Sequence, residues 1–177
     1  MSARSDRLRH VHRRACLLAG LGLAAGAAPA LAQPAAAAIG DAVALPPLRL
    51  LDGRLLAPAA LRDTALVLVF FTTDCPYCRR HNAHVDQLAQ ASRGRALRVI
   101  GVAGDRDPEA VRAYLQRNGY RFDVAMDDGG ALRARLTARR VVPMTCVLDR
   151  GGRLREVIPG EMAEADVMAL ARWGSAG

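Results

Sequence analysis

Residues 70–84 read FFTTDCPYCRRHNAH and place two cysteines, Cys75 and Cys78, directly after an apolar run. That run, ALVLVFF over 65–71, is continuous and partly β-branched, which predicts a strand buried on both faces. Pro76 suits the first turn of a helix, where its missing N–H costs nothing, so we expect Cys75 to open a helix. A thiol at a helix N-terminus faces unpaired backbone N–H groups and the positive end of the helix dipole, and both favour the reactive thiolate.

The cysteine pair admits three uses, of which dithiol exchange fits best. Cys78 comes one helical turn after Cys75, close enough to resolve a mixed disulfide formed there. A structural staple is weak, because the stabilisation from loop closure grows with loop length and this loop is very short. As metal ligands, Cys75, Cys78, His81 and His84 drift around a regular helix and cannot converge on one tetrahedral ion. Two thiolates could still hold copper(I) with help from elsewhere, for instance from Met144.

The N-terminus predicts export. The first 15 residues are basic, with five arginines, and an apolar stretch rich in glycine and alanine follows. Small residues at Ala30 and Ala32 then predict a signal peptide over 1–32, cleaved before Gln33. An uncleaved membrane anchor stays open, as does twin-arginine export through Arg13-Arg14. We therefore expect a periplasmic protein, in a compartment where disulfides form.

Cleavage would leave three cysteines, Cys75, Cys78 and Cys146, so that one internal pair leaves one thiol over. Cys146 falls on an apolar stretch, and a buried free thiol that packs as a small hydrophobe is the expectation, with a third redox thiol as the alternative. The formal net charge is +8, and all 25 basic residues are arginines. Beyond the N-terminal segment no basic run is interleaved with aromatic residues, so we expect no nucleic-acid partner.

The rest of the chain predicts one α/β domain. Residues 33–46 are rich in alanine and proline and are expected to form a tether, followed by the domain over 47–177. A hairpin is expected around Asp52-Gly53. Strands then alternate with helices, which predicts a parallel core, and a late hairpin around Gly151-Gly152 adds antiparallel strands. The expected fold is a central mixed sheet flanked by helices, with the N-terminal hairpin as an extension.

Three stretches carry a resemblance to a known family: VFFTTDCPYCRRH, RVIGVAGDRDPEAVRAYLQRNGYRF and VVPMTCVLDRGGRLREVIPGEM. They resemble the thioredoxin superfamily and, within it, the exported TlpA/ResA-like thiol–disulfide oxidoreductases, over residues 39–173. The resemblance implies a thioredoxin-like fold with Cys75 as the nucleophile and Cys78 as the resolving thiol. It also implies a cis peptide bond at Val142-Pro143 that faces the pair.

In that resemblance Val142 presents its backbone to an incoming substrate cysteine, and Pro76 and Tyr77 complete the expected substrate contacts. The chain departs from the family pattern at two positions. Asp74 replaces the usual Trp before the first cysteine, and its carboxylate opposes thiolate formation while the following arginines favour it. His81 replaces a usual Glu, and it is either the group that takes the proton from Cys78 or a buried histidine without chemistry.

The sequence therefore predicts a periplasmic thiol–disulfide oxidoreductase that reduces disulfides in exported proteins, with no metal or organic cofactor. A membrane thiol–disulfide carrier would supply the electrons, because the periplasm is kept oxidising. We expect a monomer. Three alternatives stay open: a disulfide-donating oxidase of the same fold, a copper(I)-binding carrier or chaperone, and a peroxidase. The last is suggested by Thr72 and weakened by Leu68, where peroxiredoxins carry a proline.

Overall fold

A computed structural model describes residues 35–175, the side chain of Asp128 excepted. The signal peptide predicted over 1–32 lies outside these residues. Within the described part of the chain, no helix is both long enough and apolar enough to cross a membrane.

A five-stranded sheet forms the centre of the domain, in the order β5-β4-β3-β6-β7. Its strands are β3 (Ala65–Phe71), β4 (Leu97–Ala103), β5 (Asp123–Met126), β6 (Met144–Leu148) and β7 (Leu154–Pro159). Strands β3, β4 and β5 are parallel, whereas β6 and β7 run antiparallel to their neighbours. The predicted mixed sheet and the predicted late hairpin are both confirmed.

A short hairpin precedes this sheet, as predicted, and helices connect the strands. The hairpin pairs β1 (Leu48–Arg49) with β2 (Leu55–Leu56). The helices are α1 (Pro76–Ala91), α2 (Pro108–Asn118), α3 (Ala131–Leu136) and α4 (Glu164–Ala169), with 3-10 turns at Pro58–Leu61, Asp128–Gly130 and Leu170–Gly174. The last helix, α4, tightens into a 3-10 turn after Ala169.

Local sequence explains where α2 begins and ends. Asp107 caps its N-terminus by accepting a hydrogen bond from the Glu109 N–H at 2.9 Å, and Pro108 occupies the first turn. At the other end Gly119 adopts φ +71°, a left-handed conformation that glycine reaches without steric cost. This helix carries Tyr114 into the core beside α1.

The central sheet buries a separate apolar cluster on each face. Alternate residues of β3 point in opposite directions, as the pleat requires. On one face Val67, Val69 and Phe71 pack with residues of α1, α2 and α4. On the other face Leu66, Leu68 and Phe70 pack with residues of α3 and of the segment that precedes β1. We call these the helix-side cluster and the α3-side cluster.

The described part of the predicted tether, residues 35–46, lies along the domain instead of extending away from it. Two backbone hydrogen bonds, of 2.7 and 2.9 Å, join residues 40–41 to Leu154 at the start of β7. An isolated bridge pairs Ala42 with Arg153, and a second one, after β1, pairs Leu50 with Ala125 on β5. Because β5 and β7 are the outer strands, the N-terminal segment contacts both edges of the sheet.

Candidate active site

Cys75 caps α1 at its N-terminus. Its backbone is extended (φ −83°, ψ 114°), and its Sγ accepts a hydrogen bond from the Cys78 N–H at 3.1 Å. The Cys75 N–H donates to the Thr72 carbonyl oxygen at 3.4 Å, which closes the turn between β3 and α1. The sulfur therefore faces the unpaired N–H groups of the first helical turn, where the helix dipole stabilises negative charge.

The loop before β6 lies against this sulfur. The cis peptide bond predicted at Val142-Pro143 is present. The Cys75 thiol donates to the Val142 carbonyl oxygen at 3.8 Å. Pro143 is buried, and its carbonyl oxygen accepts a hydrogen bond from the Gly160 N–H at 2.8 Å, just beyond β7. The backbone of Val142 is thus held beside the Cys75 thiol.

Cys78 lies beneath Cys75 in the helix-side cluster, with no exposed surface. Burial raises the pKa of its thiol from 9.0 to about 12, and the hydrogen bond with Cys75 adds to this rise. Cys75 is only partly buried, and both cysteines are free thiols. The pair is therefore asymmetric: one sulfur is accessible from outside, and the other is held inside as a protonated thiol.

His81 lies one turn further along α1 and is fully buried. Its Nδ1 accepts a hydrogen bond from the Met162 N–H at 3.3 Å, so the ring proton is on Nε2, which contacts Thr145 Oγ1 at 3.2 Å. Burial lowers the pKa of His81 from 6.5 to about 4. Both ring nitrogens are thus occupied by groups other than the two cysteines, and the ring connects α1 to β6 and to the loop after β7.

The outer rim of the site carries the other predicted contact residues. Pro76 and Tyr77 are exposed, and 57% of the Tyr77 surface is accessible. The Arg80 guanidinium lies 4.9 Å from the centre of the Tyr77 ring and forms two hydrogen bonds to Glu161, at 2.8 and 2.6 Å. Arg80 is therefore held by the Glu161 carboxylate, beside the exposed Tyr77 ring.

One residue that supports the site was not predicted. Both carboxylate oxygens of Asp105 accept from the Thr73 N–H at 3.2 Å, and Oδ1 accepts from Thr73 Oγ1 at 2.6 Å. Asp105 follows β4, the parallel neighbour of β3. The carboxyl ends of parallel neighbours meet at one edge, so an acidic residue just after β4 was a readable signal for a contact with the turn before Cys75.

Two further predicted candidates lie away from the pair. On β6, Met144 and Cys146 point into the α3-side cluster, whereas Cys78 belongs to the helix-side cluster. The sheet therefore separates Met144 from the two thiols, and its suggested help in holding copper(I) is wrong. Among the described residues, no group of three or more His, Cys, Asp or Glu side chains is arranged to hold a metal ion.

A dithiol that begins the helix after a central strand and faces a cis-proline loop, on this mixed sheet, defines a protein of the thioredoxin fold. The chain belongs to the AhpC/TSA family, whose model matches residues 39–157. The predicted membership of the thioredoxin superfamily is confirmed.

Individual relatives agree with this assignment. The thiol-disulfide oxidoreductase ResA of Bacillus thuringiensis (strain Al Hakam) is 23% identical over 114 residues, which cover 64% of this chain and 65% of that protein's length. The crystal structure of a thioredoxin-family thiol:disulfide interchange protein from Chlorobium tepidum TLS superposes with a TM-score of 0.67 at 24% identity, covering 80% of this chain and 100% of the other. A secreted Mycobacterium tuberculosis disulfide oxidoreductase, homologous to E. coli DsbE, superposes at 0.62 with 21% identity over 71% and 93% of the two chains.

Proposed function

We propose that this protein is an exported thiol–disulfide oxidoreductase that reduces disulfides in other proteins. The Cys75 thiolate attacks one sulfur of a substrate disulfide, so that a mixed disulfide forms and one substrate thiolate leaves. Cys78 then loses its proton and attacks Cys75 Sγ, which releases the second substrate thiolate. The dithiol gives up two electrons and two protons, the substrate receives both, and the Cys75–Cys78 disulfide remains.

The observation that carries this proposal is the asymmetry of the two sulfurs. Cys75 Sγ lies at a helix N-terminus beside the Val142 carbonyl, whereas Cys78 is buried one turn below with a pKa raised to about 12. Only the outer thiol is able to begin an exchange, since the thiolate is the nucleophile and Cys78 stays protonated at neutral pH. The inner thiol acts after the mixed disulfide has formed.

Other predicted residues take supporting roles in this proposal. Val142 and Pro143 present backbone to the substrate segment, while Pro76 and Tyr77 contact it from the exposed rim. His81 acts as a positioning residue, because its two ring nitrogens bind Met162 and Thr145. A role as proton acceptor for Cys78 is the competing hypothesis, and substitutions of His81 distinguish the two.

We place the reaction in the periplasm, on the basis of the basic and apolar N-terminal sequence. Disulfides persist there, and a reductant in that compartment has to be recharged by a thiol–disulfide carrier in the membrane. We expect the domain to act as a monomer on protein substrates.

The direction of electron flow is tested by the reduction potential of the Cys75–Cys78 couple, equilibrated against glutathione. A potential near about −270 mV, as in thioredoxin, supports the reductant. A potential near about −120 mV, as in DsbA, would overturn it in favour of a disulfide-donating oxidase. The Cys146→Ala variant serves as a control, because it removes the third described thiol without touching the couple.

A second experiment tests the order of the two thiols. The Cys78→Ser variant should accumulate a covalent mixed disulfide with a substrate protein, visible as a mass increase that a reductant reverses. Cys75→Ser should form no such adduct. Trapping through Cys75→Ser at the same rate would contradict the assignment. Rapid loss of thiols with peroxide, or stoichiometric copper retained through gel filtration, would instead favour the peroxidase or the copper carrier.

A further inference from the structure

A basic cleft lies at the end of the sheet that is remote from Cys75. It occupies about 370 Å³ between the C-terminal end of α1 and the first residues of β4 and β5. Thr64 and Leu97, at the starts of the paired strands β3 and β4, line it. Cys75 follows the opposite end of β3, so the length of that strand separates the cleft from the dithiol.

The cleft carries more positive charge than its own acids balance. Asp123 is the one acidic residue that lines it, and two arginines already hold that carboxylate: Arg98 at 3.1 Å and Arg54 at 2.5 Å. Three further arginines line the cleft and form no ion pair with any described residue: Arg93, Arg95 and Arg121.

The backbone that carries these three arginines is fixed by hydrogen bonds. Asp86 on α1, which does not line the cleft, accepts from the Arg121 N–H at 2.5 Å and from the Phe122 N–H at 3.1 Å. In the turn after α1, the Arg95 N–H donates to the Ser92 carbonyl at 3.1 Å. The arginines therefore extend from two anchored segments that face the same cleft.

We propose that this cleft is a binding site for a phosphate group. Guanidinium groups match phosphate oxygens with paired hydrogen bonds, and such charge-assisted bonds are the strong ones. The three arginines leave positive charge around the cleft that no described carboxylate pairs with, and a bound phosphate would balance part of it. The site is separate from the dithiol and does not depend on the proposed oxidoreductase function. The phosphate is either free or part of a lipid headgroup.

Titration of the full chain with inorganic phosphate tests the site, by calorimetry with sodium chloride adjusted to constant ionic strength. We expect saturable binding by the unaltered chain. The triple variant Arg93→Gln, Arg95→Gln, Arg121→Gln should bind phosphate more weakly, by about tenfold for each charge-assisted hydrogen bond that it loses. The matched control is Arg49→Gln, Arg106→Gln, Arg117→Gln, which removes the same charge from exposed arginines outside the cleft. The control should bind as the unaltered chain does.

Vesicles distinguish the two sources of phosphate. The same three chains are sedimented with phosphatidylglycerol vesicles and with phosphatidylcholine vesicles, so the N-terminal segment is present in every sample. If the cleft variant no longer sediments with phosphatidylglycerol vesicles while the control still does, the ligand is a lipid headgroup. If the unaltered chain binds inorganic phosphate but the cleft does not contribute to vesicle binding, the ligand is a free phosphate. An equal loss in both triple variants, or no phosphate and no vesicle binding by the unaltered chain, would overturn the proposal.

Discussion

Cys78 and Cys146 are two buried thiols in closely similar electrostatic environments. Neither exposes any surface, and burial raises the pKa of each from 9.0 to about 12. They lie on opposite faces of the central sheet, with Cys146 paired in register with Leu68 on β3. Of these two thiols, Cys78 has a second described thiol beside it: Cys75, whose Sγ accepts the Cys78 N–H and hydrogen-bonds with the Cys78 thiol.

The comparison teaches that burial and acidity do not identify a redox cysteine. A raised pKa makes each thiol inert on its own. What distinguishes Cys78 is its neighbour Cys75, which is partly exposed at the helix N-terminus and which, in the proposed reaction, carries the mixed disulfide that Cys78 resolves. Cys146 lacks such a neighbour, and it packs as a small apolar side chain in the α3-side cluster.

The largest effect should come from removing the outer thiol. We expect Cys75→Ser to lower kcat/KM for disulfide reduction by about 10³-fold or more, because it deletes the nucleophile. Cys146→Ala should leave the rate unchanged, since the sheet separates it from the exchange. The assay is reduction of a disulfide-bonded protein with a chemical reductant as donor, with circular dichroism as a check on folding. Loss of turnover in Cys146→Ala would break the comparison.

A smaller effect concerns His81, on the same face as Cys78. Its pKa falls from 6.5 to about 4 on folding, so the unfolded chain takes up a proton first as the pH falls. The free energy of unfolding is therefore highest above pH 6.5, and it decreases by up to about 3 kcal/mol as the pH falls towards 4. Urea unfolding between pH 7.5 and 4.5 should show this decrease. In the His81→Leu variant, the part of the decrease that comes from titration of His81 should be absent.

The same variant separates the two roles of His81. At pH 7.5, His81→Leu should cost about 1–3 kcal/mol for each buried partner left unpaired, here the Met162 N–H and the Thr145 hydroxyl. His81→Asn, whose amide oxygen can take the place of Nδ1, should restore part of that stability. A positioning residue leaves the pH profile of turnover unchanged in His81→Asn. A displaced profile would identify His81 as the proton acceptor instead.

The last prediction compares the two thiols directly, through the slope of stability against pH. Each thiol has its pKa raised from 9.0 to about 12, so each contributes stability that is complete below pH 9 and lost as the pH rises towards 12. Oxidation to the Cys75–Cys78 disulfide removes the titration of the Cys78 thiol, and Cys146→Ala removes that of the Cys146 thiol. Each change should reduce the slope of unfolding free energy against pH by up to about 1.4 kcal/mol per pH unit.

The chain is suited to this measurement because it contains no lysine, so tyrosines and cysteines are the side chains that titrate in that range. Reduced Cys146→Ala and oxidised unaltered protein should show similar slopes, and oxidised Cys146→Ala the smallest. If oxidation leaves the slope unaltered, the two thiols are not electrostatic equals.

The sequence predicted the features that depend on neighbours along the chain. The apolar run of β3, the proline after Cys75 and the turn glycines are local signals, and they located the dithiol on a helix N-terminus correctly. The face of the sheet that each β6 side chain occupies could not be predicted in this way. Strand alternation shows that Thr145 and Cys146 face opposite sides, but it does not show which of those sides α1 covers. The suggestion that Met144 helps to hold copper(I) therefore did not foresee that Met144 packs on the other face of the sheet from Cys78.

The partners of His81 could not be predicted for a related reason. They come from β6 and from the loop after β7, more than sixty residues away in sequence, and both are set by tertiary packing. The tether was expected because alanine and proline composition indicates a segment without regular structure. It does not show that the backbone N–H and C=O groups of that segment pair with a nearby strand.

The residues on either side of β1 also have a consequence for association between copies. Outer strands of a sheet present unpaired N–H and C=O groups, which invite pairing with another chain and aggregation. Here residues 40–42 cover the start of β7, and Leu50 and Leu51 cover β5. A truncation that begins at β3 would therefore open both edges at once, and it would produce a domain prone to self-association while its dithiol stayed intact.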